Sequence, residues 1–125
     1  MKYILYIMVL FSTTTYADDN RTEIYSFYDR YEYNLFTKGC NENNSTSCYR
    51  LADIYRAGEI FPPDKEKALS LYIKACQGGI TNSCSLAGMI LYSGSGVSKD
   101  TKEGIKYFNI ACDLGSKISC RLLRE

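Results

Sequence analysis

The chain has no histidine, and that one absence removes several kinds of chemistry. A Ser-His-Asp or Cys-His catalytic set cannot be assembled, and neither a His-ligated haem nor a Cys2His2 zinc site is available. Charge of one sign is not in excess either, since 15 basic and 14 acidic side chains leave +1. A protein that tracks nucleic-acid phosphates carries a basic surplus, so no nucleic-acid partner is expected. Long apolar runs are missing as well. The longest, Tyr3 to Phe11, is nine residues, too short to span about 30 Å of hydrocarbon, so no stable membrane insertion is expected. With 125 residues the chain has room for one domain and little more.

What that short run does suggest is an address. Lys2 gives it a positive start, and a small and polar stretch, Ser12 to Ala17, follows before Asp18-Asp19-Asn20. This is the pattern of a secretory signal peptide over 1–17, cleaved after Ala17, with 18–125 as the mature domain. Cleavage removes one lysine and no acid, so the mature chain is neutral. The expected location is secreted or periplasmic. There cysteines pair, and none of the six lies in the signal.

The cysteines stand at Cys40, Cys48, Cys76, Cys84, Cys112 and Cys120, with gaps of 8, 28, 8, 28 and 8. Neither a redox CxxC nor the two-residue gaps of a zinc site occurs, which leaves structural disulfides. The period is 36, and other residues obey it. Laying Cys48 on Cys84 places Leu51-Ala52 on Ala87-Gly88, Tyr55 on Leu91, Asp64 on Asp100, Ala68 on Gly104, Tyr72 on Phe108 and Ala75 on Ala111. Upstream, Leu35, Phe36, Gly39 and Cys40 match Leu71, Tyr72, Ala75 and Cys76. Each unit carries two apolar stripes at helical spacing: Cys48, Leu51, Ala52, Tyr55, then Ala68, Leu71, Tyr72, Ala75. A Gly- and Pro-containing break separates them, and Asp64 and Asp100 stand where an N-cap belongs. Each repeat is thus a pair of short antiparallel helices, A then B. The expected boundaries are an N-terminal capping helix and turn over 18–47, repeats over 48–83 and 84–119, and the start of a further repeat over 120–125.

The residues Leu51-Ala52-Asp53-Ile54-Tyr55-Arg56-Ala57-Gly58, Asp64-Lys65-Glu66-Lys67-Ala68 and Tyr72-Ile73-Lys74-Ala75-Cys76 resemble the Sel-like repeat (SLR), a relative of the tetratricopeptide repeat. The cysteines eight apart are similar to those of the Helicobacter cysteine-rich protein (Hcp) family. The resemblance implies an all-α fold, an α/α solenoid of Sel-like, TPR-like helix pairs stapled by disulfides, serving as a protein- or peptide-binding scaffold. It also implies the pairs Cys40–Cys48, Cys76–Cys84 and Cys112–Cys120, each closing a B helix onto the next A helix. Antiparallel helices there bring Cα atoms within about 4.4–6.8 Å, whereas Cys48 and Cys76 lie at opposite corners of a pair.

Family members also carry a penicillin-binding or β-lactamase label, so a β-lactam or a cell-wall fragment enters as an alternative partner, and a β-lactamase-type hydrolase as an alternative function. The residues give that alternative no route. No serine has a lysine three positions on, and Lys-Thr-Gly and Ser-Asp-Asn are absent. No catalytic residue is named, and no cofactor or metal is expected. Ser93-Gly94-Ser95-Gly96 lacks a phosphate loop's Gly-Lys-Ser/Thr ending and is read as an inter-helix turn. The tyrosine-rich first helix, roughly Glu23 to Lys38, is read as a cap on the open core, with Tyr25 and Tyr33 left free.

A candidate groove remains. On the first A helix Arg50, Asp53 and Arg56 fall outside the core stripe and must look away from it. One period later these positions are Leu86, Met89 and Tyr92, apolar without a core duty, and Leu122 continues the line onto the third A helix. Either these side chains pack on the neighbouring A helix, or they form the dry floor of a peptide groove with arginines at its rim.

Overall fold

The structure is a computed structural model and describes residues 26, 27 and 29–125. The signal segment 1–17, Tyr25 and Tyr28 lie outside the described residues. The chain divides into two compact units, one ending at Glu32 and the other running Tyr33–Glu125. In the first, residues 26, 27 and 29–32 are helical. The second opens with helical residues 33–41 (α1) and continues with α2 (Ser45–Ala57), α3 (Lys65–Gln77), α4 (Thr81–Ser93), α5 (Thr101–Asp113) and α6 (Lys117–Leu122). It is an α/α solenoid, in which α2 packs on α3, α3 on α4, α4 on α5 and α5 on α6. The A helices are α2, α4 and α6; the B helices are α1, α3 and α5.

Each boundary is set by the same chemistry one period apart. Asp64 and Asp100 accept from the backbone N–H of Lys67 and Glu103, capping α3 and α5 as their sequence positions suggest. Asn44 and Ser116 do the same for α2 and α6. At the matching position Ile80 has no side chain able to cap α4. The A-to-B loops close on equivalent backbone bonds, Asp64 N to Tyr55 O and Asp100 N to Leu91 O, both 2.9 Å.

The B-to-A turns are closed covalently. Cys40–Cys48, Cys76–Cys84 and Cys112–Cys120 are bonded, with Cα separations of 4.6, 4.7 and 4.7 Å. Each turn reverses through one left-handed residue at the same register, Asn43 (φ 63°), Gly79 (φ 89°) and Gly115 (φ 102°). Glycine and asparagine are the residues that enter this region at least cost.

The expected stripes form the core. Cys48, Leu51, Ala52 and Tyr55 of α2 are buried against Ala68, Tyr72 and Ala75 of α3, with Leu71 at the edge, partly buried. In the second pair Ala52 and Ala68 become Gly88 and Gly104, and the helices use the space. A Cβ on Gly104 would stand 2.8 Å from Tyr92 N and 2.9 Å from Gly88 O. Contact that close admits no side chain on either glycine.

Tyr33 departs from its expected freedom. Its hydroxyl lies 3.1 Å from that of Tyr55, and Phe61 packs edge-on to its ring at 5.0 Å between centroids. The loop after α2 folds Phe61 back over both tyrosines, an arrangement that helical periodicity does not encode. Phe36 packs on the core, while Leu35 is exposed.

Each eight-residue bridge contributes about 2.5 kcal/mol in the chain-entropy model, and a domain of this size shifts its melting point by about 4–8 °C per kcal/mol. Reduction is expected to lower the melting temperature by tens of degrees, read by circular dichroism with and without a thiol; an unchanged melting point would contradict it. Gly104→Ala is expected to cost about 1–3 kcal/mol by forcing α4 and α5 apart, measured by urea denaturation of the oxidised protein.

Candidate functional site

The A helices present positions 50, 53 and 56 and their period mates along one face, and side chains there line two adjoining hollows. One, of about 320 Å³, is bounded by Tyr49 and Arg56 of α2, Ser85, Leu86 and Met89 of α4, Phe108 of α5 and Leu122 of α6. The other, of about 760 Å³, is bounded by Met89, Tyr92, Ile105, Phe108, Leu122 and Leu123, together with the polar Ser93 and Glu125. Met89, Phe108 and Leu122 belong to both, so the hollows share a wall. The Gly88–Gly104 contact sets their depth. It holds α4 on α5 and leaves Phe108 as the floor, with the Tyr92 ring tilted 6.0 Å from it.

The structure brings four of the seven candidate groove residues together on this apolar stretch. Met89, Tyr92 and Leu122 are 42%, 48% and 40% exposed. Leu86 lines the smaller hollow while packing partly on the core. Arg56 joins them at the polar end. Arg50 is exposed, its guanidinium 5.9 Å over the Tyr49 ring, and lines neither hollow.

Asp53 and Arg56 behave differently from expectation. Rather than looking wholly away from the core, both turn back onto one buried atom, the hydroxyl of Tyr72. That hydroxyl donates to Asp53 Oδ1 and accepts from Arg56 Nε at 2.8 Å, while Arg56 Nη2 lies 3.4 Å from the same carboxylate oxygen. The physical reason is Tyr72 itself. Its ring is fully buried, and a buried phenol left without partners is costly. Burial, with Asp53 accepting its proton, holds this phenol above the usual tyrosine value. The hydrogen bond to Tyr72 in turn raises Arg56.

One period on, every member of this polar clamp is replaced. Asp53, Arg56 and Tyr72 become Met89, Tyr92 and Phe108. With no hydroxyl on Phe108 there is nothing to hold, and the position of the clamp becomes the apolar cleft.

Sequence reasoning missed a trio of serines beside the hollow. Ser85 Oγ lies 2.8 Å from Ser119 Oγ and 3.2 Å from Ser116 Oγ, and the last two are 3.1 Å apart. The signal was weak, because Ser85 replaces Tyr49 in the period and pairs with serines one repeat later. Their bonds run among themselves and to the backbone of Thr81 and Ser119, with no lysine or carboxylate in the set. Among the described residues no group of three or more Cys, Asp or Glu is placed to hold a metal ion.

The family model of the Sel1 repeat matches residues 45–80 and 82–116, which correspond to α2–α3 and α4–α5. The chain belongs to the Sel1 repeat family. Among solved structures it is similar to Helicobacter pylori cysteine-rich protein B, with 35% identity and a TM-score of 0.69 over 73% of this chain and 68% of that one. It is similar also to a protective antigen present in uropathogenic Escherichia coli strains displaying an SLR fold, with 27% identity and a TM-score of 0.65 over 69% of this chain and 18% of that one. A Sel1 repeat protein from Oxalobacter formigenes shares the fold, at 20% identity and a TM-score of 0.65 over 73% and 37% of the two chains. No curated protein matches the sequence. The Sel1 units are framed from the start of each A helix, a few residues ahead of the cysteine-based boundaries at 48 and 84.

The clamp makes a pH prediction. The folded protein keeps the Tyr72 proton where the unfolded chain releases it. The resulting stability is complete below about pH 10 and is lost as the pH rises above that value. Melting temperatures from about pH 8 to about pH 11 are expected to fall less steeply for Tyr72→Phe than for the parent; identical alkaline slopes would contradict it.

Proposed function

We propose that this Sel1 repeat protein is an exported, disulfide-stapled scaffold whose A-helix face binds a segment of another protein or a peptide. The observation that carries the reading is the apolar cleft. Met89, Tyr92 and Leu122 stand about half exposed around the floor made by Phe108. Apolar side chains gathered in a concave surface, rather than scattered singly, are the mark of a docking site. The remaining support is compositional. The sequence offers no basic surplus for nucleic acid, and no helix among the described residues is long and apolar enough to cross a membrane. The signal-like segment 1–17 and three disulfides fit an oxidising compartment, secreted or periplasmic. Hydrolysis of a β-lactam, the alternative raised by the family label, has no comparable observation behind it.

The test is panning of a random dodecapeptide phage library on the oxidised protein, followed by fluorescence polarisation of the selected peptides. Met89→Glu combined with Tyr92→Ala is expected to weaken binding by about tenfold or more, the effect of losing about 1.4 kcal/mol, with an unchanged melting curve. Undiminished binding would sink the site. Collapse of the fold would show instead that the stripe is core.

A further inference from the structure

The two repeats do not offer a ligand the same surface, and the difference has a chemical direction. In the second repeat the groove position is apolar: Met89, Tyr92 and Phe108. In the first it is the clamp of Asp53, Arg56 and Tyr72. The outward charge of that clamp is positive, because the Arg56 side chain is 45% exposed and that of Asp53 only 27%. Asp53 Oδ1 already takes two donors. Arg56 spends its Nε–H and one Nη2–H on the clamp, and a guanidinium carries five N–H groups. Three donors therefore remain on a plane that is already fixed.

An arginine fixed in this way loses little side-chain freedom when a carboxylate arrives, and its fork geometry favours a planar anion. Arg50 adds a second cation to the same helix. Among the described residues the ion pairs are Arg56–Asp53 and Lys106–Glu103, so Arg50 has no acid of its own. The α2 stripe thus carries two cations to one anion. Arg56 also lines the same hollow as Met89, Phe108 and Leu122, so one ligand can touch both chemistries.

We propose that the groove is selective for a segment carrying an acidic side chain beside an apolar one. The Asp or Glu of the ligand pairs with Arg56, and its Leu, Ile, Met or Phe enters the cleft at Met89, Tyr92 and Phe108. This rests on the groove reading above and gives it a ligand class and a direction. The spacing follows from the solenoid. Adjacent A helices are about 10 Å apart, and an extended chain advances about 3.3 Å per residue. The two ligand side chains therefore lie about three positions apart in an extended segment.

The dodecapeptide selection is run in parallel on the parent, on Arg56→Gln and on Tyr72→Phe, each verified by its melting curve. Tyr72→Phe places at this position the residue that the second repeat already carries, and it keeps the Arg56 charge while removing the hydrogen bond that orients it. Peptides from the parent are expected to be enriched in Asp or Glu about three positions from an apolar residue. Arg56→Gln is expected to keep the apolar enrichment, lose the acidic one, and bind the parent's peptides about tenfold less tightly. Tyr72→Phe is expected to fall between the two. Apolar enrichment without acid, or an acidic preference undiminished in Arg56→Gln, overturns this inference and leaves the groove standing. If selected peptides bind Met89→Glu as well as the parent, the groove itself is wrong and the inference falls with it.

Discussion

Every A helix in this molecule is placed by the same constraint, an eight-residue loop closed by a disulfide. The left-handed residue at 43, 79 or 115 turns the chain, and the bridge then pins the last turn of one helix to the first turn of the next. Because the constraint recurs at a fixed interval, each A helix arrives at the stack in the same rotational setting. Positions 36 residues apart therefore face the same way. That is why an arginine, a leucine and another leucine at 50, 86 and 122 can be compared as one structural site, and why a groove can run along the helices at all. Two matched repeats share a small core, and the bridges add stabilisation by chain entropy to apolar burial.

Within that register, the spacing between partner helices is set by the smallest side chains. Ala52 and Ala68 hold α2 and α3 at one separation. Gly88 and Gly104 let α4 and α5 meet backbone to backbone, with no room for a Cβ on either. In this pair Phe108 is buried against Gly88, and the Tyr92 ring lies 6.0 Å from it on the A-helix face. In the first pair the aromatic at that depth is Tyr72, whose ring is fully covered and whose hydroxyl is tied to α2. A substitution of two methyl groups thus accompanies a change from a closed polar surface to an open apolar one.

Much of this was legible in the sequence because cysteine spacing is discrete. Gaps of 8 and 28 fix the period without ambiguity, and once it is fixed the stripes, caps and bridges can be read by superposition. Met89 and Tyr92 stood out for a related reason, being apolar at positions where the first repeat is charged, though that pattern left packing on the neighbouring A helix and a groove floor both open. The fate of Asp53 and Arg56 was not legible, though its signal was present. Tyr72 lies in the core stripe and carries a hydroxyl, and a buried hydroxyl requires a partner; α2, packed on α3, supplies it. The packing of Phe61 on Tyr33 left no such signal, and the serine trio left only a weak one. Loop direction and hydroxyl rotation are decided by tertiary contacts that have no period.

The unlike repeats bear on how a scaffold of this size can be selective. A groove with identical repeats would accept a ligand in any register, because each step along it would offer the same contacts. For the acidic segment proposed above, a shift of one repeat would carry the acidic side chain from Arg56 to the floor made by Met89 and Phe108. An unpaired carboxylate held against apolar side chains is penalised by desolvation. Discrimination would then come from a cost imposed on the wrong register as much as from the bond made in the right one. The clamp suits this role because it is internally satisfied before any ligand arrives. Tyr72, Asp53 and Arg56 meet one another's needs, so no member of the clamp is without a partner. The free donors of Arg56 point to solvent at little cost until a carboxylate replaces the water.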